Sequence, residues 1–347
     1  MEEIHRILET IERTGLRSAL ATITHVEGSA YRKEGTSMLF LEDGSLIGVL
    51  SVGCLESALS ACVPDILETG ASRTFVFDMQ SSDDPLSWGE APGCGGVVHV
   101  TMEPVDDRLT DHLCTLKRYL DQHIEVMLVK RFGSDGSVAG YRFLTRDRHL
   151  FGEWEGEFPQ ALDWMSSGDL RRSGMRFVSS MQSDVFVHTY YPKPRLILFG
   201  AGPDARPLAA FAAAAGFSVV VADWRPVFCD RRYFPDAESI VLGFPEETMR
   251  RIEFTPYDYA IVMTHNFKRD QQLARLLSER KLCYLGILGS KRRTERLLEG
   301  VKFPIKVHFP VGLAIGAEGP EEIAVSILAE LIHRKNRKLE VVIHEAE

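Results

Sequence analysis

Between Arg195 and Asp223 the chain reads RLILFGAGPDARPLAAFAAAAGFSVVVAD, and few folds accommodate that order of residues. Leu196–Phe199 is a short apolar run of the kind that forms a parallel strand buried on both faces. Gly200, Ala201 and Gly202 follow where the backbone must turn sharply, and Ala205 fills the third small position of a G-x-G-x-x-G/A fingerprint. Leu208 to Ala215 reads as a helix closed by Gly216, and Phe217–Ala222 as a second buried strand. Asp223 ends that strand about twenty residues beyond the turn, where a Rossmann fold sets an acid against ribose hydroxyls. Strand, turn, helix, strand and acid in this order predict a Rossmann-type βαβ unit. Two residues weaken its phosphate site: Pro203 has no N–H to donate, and Asp204 brings negative charge to the helix mouth.

Further strands are expected at Ser239–Leu242, Tyr259–Met263 and Cys283–Leu288. Ligands of open α/β sheets sit at the carboxyl ends of strands, so His265, just after the second of these, is positioned either for ligand contact and proton transfer or for bracing its loop. Ser290 is a candidate N-cap and Lys291 the first residue of a helix whose mouth suits an anion, or whose charges simply face solvent. Pro320 opens an amphipathic helix from Glu321 to Arg334, and Leu339–Ile343 reads as a closing strand. Tyr190-Tyr191-Pro192-Lys193-Pro194 forms a hinge. The fold expected is α/β: an N-terminal mixed α+β domain at 1–190, then a Rossmann-type parallel-sheet domain at 191–347.

Ahead of the hinge, Ile4, Ile7, Leu8 and Ile11 mark one face of an opening helix. Strands are read at Ser18–Val26, Met38–Leu41 and Ser45–Leu50, the last two joined at Asp43-Gly44. Ser51-Val52-Gly53-Cys54 then passes through a glycine into a helix. A thiol at a helix N-terminus has its thiolate favoured, so Cys54 is a candidate for sulfur or metal chemistry; the alternative is a small residue packed at a turn. After a strand at Arg73–Met79, Gly93, Gly95 and Gly96 surround Cys94 and let backbone approach a ligand or a neighbouring chain, unless they only make a turn. Residues 109–187 read as a helix to Leu120, a strand at Ile124–Lys130 and short β-like runs that complete the first domain.

A net charge of −9 argues against non-specific nucleic-acid binding, which needs a basic surface to displace counterions. The acidic amphipathic start differs from a signal peptide, and no apolar run approaches membrane-span length, so a cytoplasmic protein is expected. The six cysteines stand singly and are expected to be free thiols.

Taken together, GSAYRKEGTSM, SVGCLES, PGCGGVVHV with Glu103-Pro104, the Rossmann run, THN, LGSKRR and PVGLAIGAEGPEEIAVSILAE resemble the XdhC/CoxI family of xanthine dehydrogenase accessory factors. The resemblance covers both halves of the chain, with departures at Tyr31, Val52 and Pro203. It implies a maturation chaperone rather than an enzyme with turnover: one that binds molybdenum cofactor (molybdopterin, in mononucleotide-free or dinucleotide form), protects it during sulfuration by a cysteine desulfurase, and delivers it to apo xanthine dehydrogenase or a related molybdenum hydroxylase. Carried over by motif, Cys54 and Cys94 become metal and cofactor ligands, and Gly200 to Gly202 the nucleotide turn, joined by Asp223, His265, Ser290 and Lys291. Thiolates suit soft molybdenum. A homodimer is expected on general frequency. The rival reading is an NAD(P)-dependent oxidoreductase, for which the fingerprint and Asp223 are the requirements and His265 the available proton-transfer group.

Overall fold

A computed structural model describes residues 2–51, 53–79, 96–159 and 173–344, with side chains at 2, 54 and 337–344 left out. The chain divides into two compact units, one built from Met1–Pro192 with the closing residues from Val342, the other from Lys193–Val341.

In the first unit α1 (Glu2–Thr14) buries Ile4, Ile7, Leu8 and Ile11, the stripe its spacing requires. It is followed by β1 (Ser18–Glu27), β2 (Ser37–Leu41), β3 (Leu46–Ile47), α2 (Cys54–Thr69), β4 (Arg73–Asp78) and β5 (Val97–Pro104). These strands form an antiparallel sheet in the order β3-β2-β1-β5-β4. Leu55, Leu59, Val63 and Ile66 of α2 pack with Ala19, Ala21 and Ile23 on one face. The strand expected at Ser45–Leu50 is only the two residues of β3, because Gly48 at φ 103° breaks the extended run.

Residues 109–187 carry more architecture than their plain sequence suggests. After α3 (Asp107–Asp121) come β6 (Val126–Phe132), β7 (Val138–Thr145), β8 (Leu150–Phe151), β9 (Gly174–Val178) and β10 (Ser183–Tyr190). They form a second antiparallel sheet, β8-β7-β6-β10-β9. One apolar core joins the two sheets: α1 and α3 lie on Leu20, Leu39 and Leu41 of the first and on Val126, Leu128 and Phe143 of the second. Glu103 of β5 and Lys130 of β6 form an ion pair inside it, with side chains 5% and 4% exposed. The loop before β2 approaches β10 closely at Gly35, whose φ is +87° and where a Cβ would run into the His188 imidazole.

The second unit contains β11 (Arg195–Phe199), α4 (Ala205–Ala214), β12 (Ser218–Asp223), β13 (Ser239–Leu242), α5 (Pro245–Arg251), β14 (Tyr259–Val262), α6 (Phe267–Leu277), β15 (Tyr284–Ile287), α7 (Lys291–Leu298), β16 (Val307–His308) and α8 (Gly319–His344). All neighbours are parallel, and the order β13-β12-β11-β14-β15-β16 is that of a doubly wound dinucleotide fold. Leu196, Leu198, Val219 and Val221 face one core with α4 and α8, whereas Ile197, Phe199, Val220 and Val262 face the other with α5, α6 and α7. Both strand faces are covered, which is why these strands are uniformly apolar. The closing strand expected at Leu339–Ile343 is instead the end of α8. Leu339, Val342 and Ile343 stand at i, i+3 and i+4, a helical spacing that a run of β-branched residues disguised. Among the described residues no helix is long and apolar enough to cross a membrane.

Candidate functional site

Parallel sheets of this order part their loops where the strand order reverses, here between β11 and β14. On the β11 side Gly200 turns the chain at φ +126°, and a Cβ there would lie 2.5 Å from the Met263 carbonyl oxygen after β14. The two loops can therefore approach only through a glycine.

The donors of this turn are largely spent inside the protein. Gly200 N–H goes to Ala222 O, Ala205 N–H to Gly202 O, and Pro203 has none. Ala201 N–H donates to Asp223 Oδ2 at 2.7 Å. Asp223 is 2% exposed and accepts three more bonds from Arg225: from its N–H and Nε to Oδ1, at 2.9 and 3.0 Å, and from Nη2 to Oδ2 at 2.7 Å. Four bonds match the roughly four lone-pair sites of a carboxylate. Burial would raise the Asp223 carboxyl; the bonds from Arg225 and the Ala201 amide overcome it and hold the group below the ordinary carboxylate range. Arg225 is fixed as well, its guanidinium 4.6 Å from the Trp224 ring centroid and 4.4 Å from that of Phe228.

On the β14 side His265 adopts φ +60°, a left-handed conformation sparsely populated outside glycine. Its Nε2 lies 2.6 Å from Asp204 Oδ2, so the acid that the sequence sets at the α4 mouth is engaged across the switch point. Beneath them Asp270, fully buried on α6, accepts from the Thr264 hydroxyl and from Arg293 of α7. One carboxylate thus ties the loop after β14 to two helices. Asn266 caps α6 through Arg269 N–H at 3.1 Å, and Ser290 caps α7 through Arg293 N–H at 3.3 Å.

These loops and residues 310–317 line an open pocket of about 860 Å³. Gly202, His265 and Ser290 line it, as do Pro203, Asp204 and Arg225. Gly200 and Asp223 shape its wall without being among the lining residues, and Lys291 is exposed beyond Ser290. Leu288, Val311, Leu313, Ile315 and Ile323 supply an apolar side. Glu330 of α8 anchors that loop: it accepts from Gly312 N–H at 2.7 Å and pairs with His308 Nδ1 at 2.6 Å, while Arg334 Nη2 reaches His308 Nε2 at 2.9 Å. An imidazole that donates from Nδ1 and accepts at Nε2 is neutral, and burial keeps His308 below the usual histidine range despite Glu330. Sequence reading missed Arg225, Asp270, Arg293 and Glu330.

In the first unit Cys54 is the opening residue of α2. Glu56, two residues further on, accepts from the N–H groups of Leu50, Ser51 and Gly53 at 2.9, 2.6 and 3.1 Å. Burial works against the Glu56 carboxylate, yet the bonds from Ser51 and its neighbours lower its pKa. The Cys54 side chain, Val52, and the whole of Cys94 with Gly93 and Gly95 lie outside the described residues. On β1 and β5, the His25 and His99 rings meet edge to face at 5.2 Å, with Glu27 Oε1 at 3.6 and 3.8 Å from their Nε2 atoms. Among the described residues no group of three or more His, Cys, Asp or Glu could hold a metal ion.

Family sequence profiles match along the chain: "XdhC and CoxI family" at residues 12–78, "BH1974-like, central domain" at 107–191 and "XdhC Rossmann domain" at 196–331. A Bacillus subtilis protein named as a probable subunit of xanthine dehydrogenase is 41% identical over 97% of this chain and 99% of its own length. The chain belongs to the XdhC and CoxI family. A crystal structure described as a xanthine dehydrogenase from Bacillus halodurans superposes with a TM-score of 0.86 at 43% identity, covering 96% of each chain. The Escherichia coli protein named molybdenum cofactor insertion chaperone PaoD is 23% identical over 92% of this chain and 83% of its own. The second sheet of the first unit coincides with the matched central domain, which the sequence alone does not separate from what precedes it.

Proposed function

We propose that this chain is an accessory factor that carries molybdenum cofactor to an apo enzyme of the xanthine dehydrogenase type, keeping it accessible to a cysteine desulfurase on the way. What carries the reading is a ligand-sized pocket at the Rossmann switch point, in a chain similar over most of its length to a protein named a molybdenum cofactor insertion chaperone. The donor chemistry fits the group. Arg225 offers a fixed cation, Gly202 and Ser290 offer close backbone, and the thiols of Cys54 and Cys94 are soft ligands that metal contact would deprotonate. In this reading Cys54 and Cys94 are the thiols of the first unit available as soft metal ligands; in the second unit, taken by itself, Gly202, His265 and Ser290 line a pocket for an organic or nucleotide group, and Lys291 adds positive charge at its edge. Gly200 and Asp223 act from behind, shaping the turn and fixing Arg225. The cofactor supplies redox chemistry at molybdenum in the acceptor enzyme; this chain binds, orients and shields. It acts as a cytoplasmic homodimer without turnover of its own.

Purification of the full chain under anaerobic, cofactor-replete conditions, with molybdenum and pterin quantified per chain, tests the proposal. Near-stoichiometric loading and activation of apo xanthine dehydrogenase are expected, both reduced in Cys54→Ala and Cys94→Ala. Unchanged loading and activation in both variants would remove the thiols from the proposal, and a chain that never carries molybdenum would end it.

A further inference from the structure

We infer that the end of β12, where a dinucleotide fold reads ribose hydroxyls, reads a phosphomonoester in this chain, and that Arg225 is the residue that does so. The usual reader is an acid whose oxygens accept from the ribose diol, and an arginine nearby takes a phosphate in its place. Here the acid has no capacity left: Asp223 is buried and already accepts four hydrogen bonds. Three of them come from Arg225, so the same contacts that silence the carboxylate lock the guanidinium in one orientation.

Arg225 spends Nε and Nη2 on Asp223, and its Nη1 has no hydrogen-bond partner among the described residues. The side chain is 32% exposed and lines the pocket. Trp224 and Phe228 hold the plane of the group, so its remaining donors are fixed before any ligand arrives. Nearby, the Cys229 thiol is turned to the Asp223 carbonyl oxygen at 3.5 Å, and the Asp204 carboxylate is taken by His265.

The glycine turn reinforces the selection. Gly200, Ala201 and Ala205 have committed their N–H groups, Pro203 has none, and Asp204 carries negative charge to the α4 mouth. A bridging pyrophosphate finds few donors over this loop, whereas a terminal phosphate finds a fixed fork one strand away. The chemical class is therefore a ligand with an apolar or planar body and a terminal phosphomonoester, either a nucleotide phosphate or the phosphate of a pterin.

Isothermal titration of the full chain with probe pairs that differ only in that group tests the inference. The pairs are adenosine and adenosine 5′-monophosphate, adenosine 5′-monophosphate and adenosine 2′,5′-bisphosphate, and the oxidised metal-free pterin of the cofactor with and without its phosphate. A preference of about ten- to hundredfold for the phosphorylated member of at least one pair is expected, the scale of a charge-assisted hydrogen bond. Which pair shows it separates nucleotide from pterin. The preference is lost in Arg225→Gln and partly kept in Arg225→Lys. Because Arg225→Gln strands the Asp223 carboxylate, the double variant Asp223→Asn/Arg225→Gln is titrated alongside as a charge-balanced control. Absent or equal binding of both members in every pair, or a preference surviving in Arg225→Gln or in the double variant, overturns the inference. It rests on the reading of this pocket as a ligand site, but the titration contains no molybdenum. An intact preference in a chain that never carries molybdenum therefore sinks the accessory-factor proposal alone.

Discussion

Replacing Arg293 by methionine removes the cationic partner of Asp270 while keeping most of the aliphatic volume that packs at the start of α7. The Asp270 side chain is 1% exposed and that of Arg293 26%. The two single losses are therefore unequal. Without Arg293 the carboxylate stays buried with only its Thr264 donors, and breaking a buried pair from that side costs about 3–5 kcal/mol, the lower end applying while Thr264 still donates. In Asp270→Asn the freed guanidinium can turn to water and the amide retains an acceptor for Thr264, so the cost is about 1–2 kcal/mol. Hydrogen exchange of peptides from α6 and α7, followed through a urea series, reads the local free energy without assuming that the two units unfold together. If Arg293→Met costs no more than Asp270→Asn, Asp270 is not the buried anchor of the His265 loop.

Acid should loosen the first unit through His188, whose pKa is pushed down to about 3 by burial and by the Lys130 ammonium. A folded-state pKa below the unfolded value near 6.5 means that this stability is whole above pH 6.5 and drains as pH falls towards 3. At pH 5 the loss is at most about 2 kcal/mol, the residue being only partly buried, and urea midpoints between pH 7 and 5 should shift less in His188→Gln than in the wild type by about that amount. Gly35→Ala combines a left-handed φ with a collision against that imidazole, and should cost about 2–4 kcal/mol by the same midpoints; Gly15→Ala, also at positive φ but with open space around it, should cost about 1 kcal/mol. If the collision is the larger part, adding His188→Ala to Gly35→Ala recovers stability, and a strictly additive double variant contradicts it.

The parallel sheet was legible because its evidence is local. Gly200, Gly202, Gly216 and Asp223 fall within one βαβ unit, in an order and spacing that a linear reading can recognise. The Ser290 cap and the Pro320 helix start were readable for the same reason. What escaped is set by partners distant in the chain. Asp204 and His265 are 61 positions apart, Asp270 and Arg293 23, Glu103 and Lys130 27, and nothing in a linear reading couples them. Two-residue strands such as β3, β8 and β16 exist only because a neighbouring strand is there to pair with them.

Asp223 shows most clearly where fingerprint reasoning stops. Its place at the end of β12 follows from the spacing, but its chemistry depends on what else reaches it, and Arg225, two residues on, leaves it fully bonded. The fingerprint encodes the path of the backbone, since glycines are needed wherever strand, turn and helix pack this closely. It does not encode which donors stay free. Once the loop amides turn inward and Pro203 and Asp204 occupy the helix mouth, the selectivity of such a pocket passes from the turn to the side chains around it, so variation at Arg225 should alter ligand choice more than variation at Gly202 that leaves the turn intact.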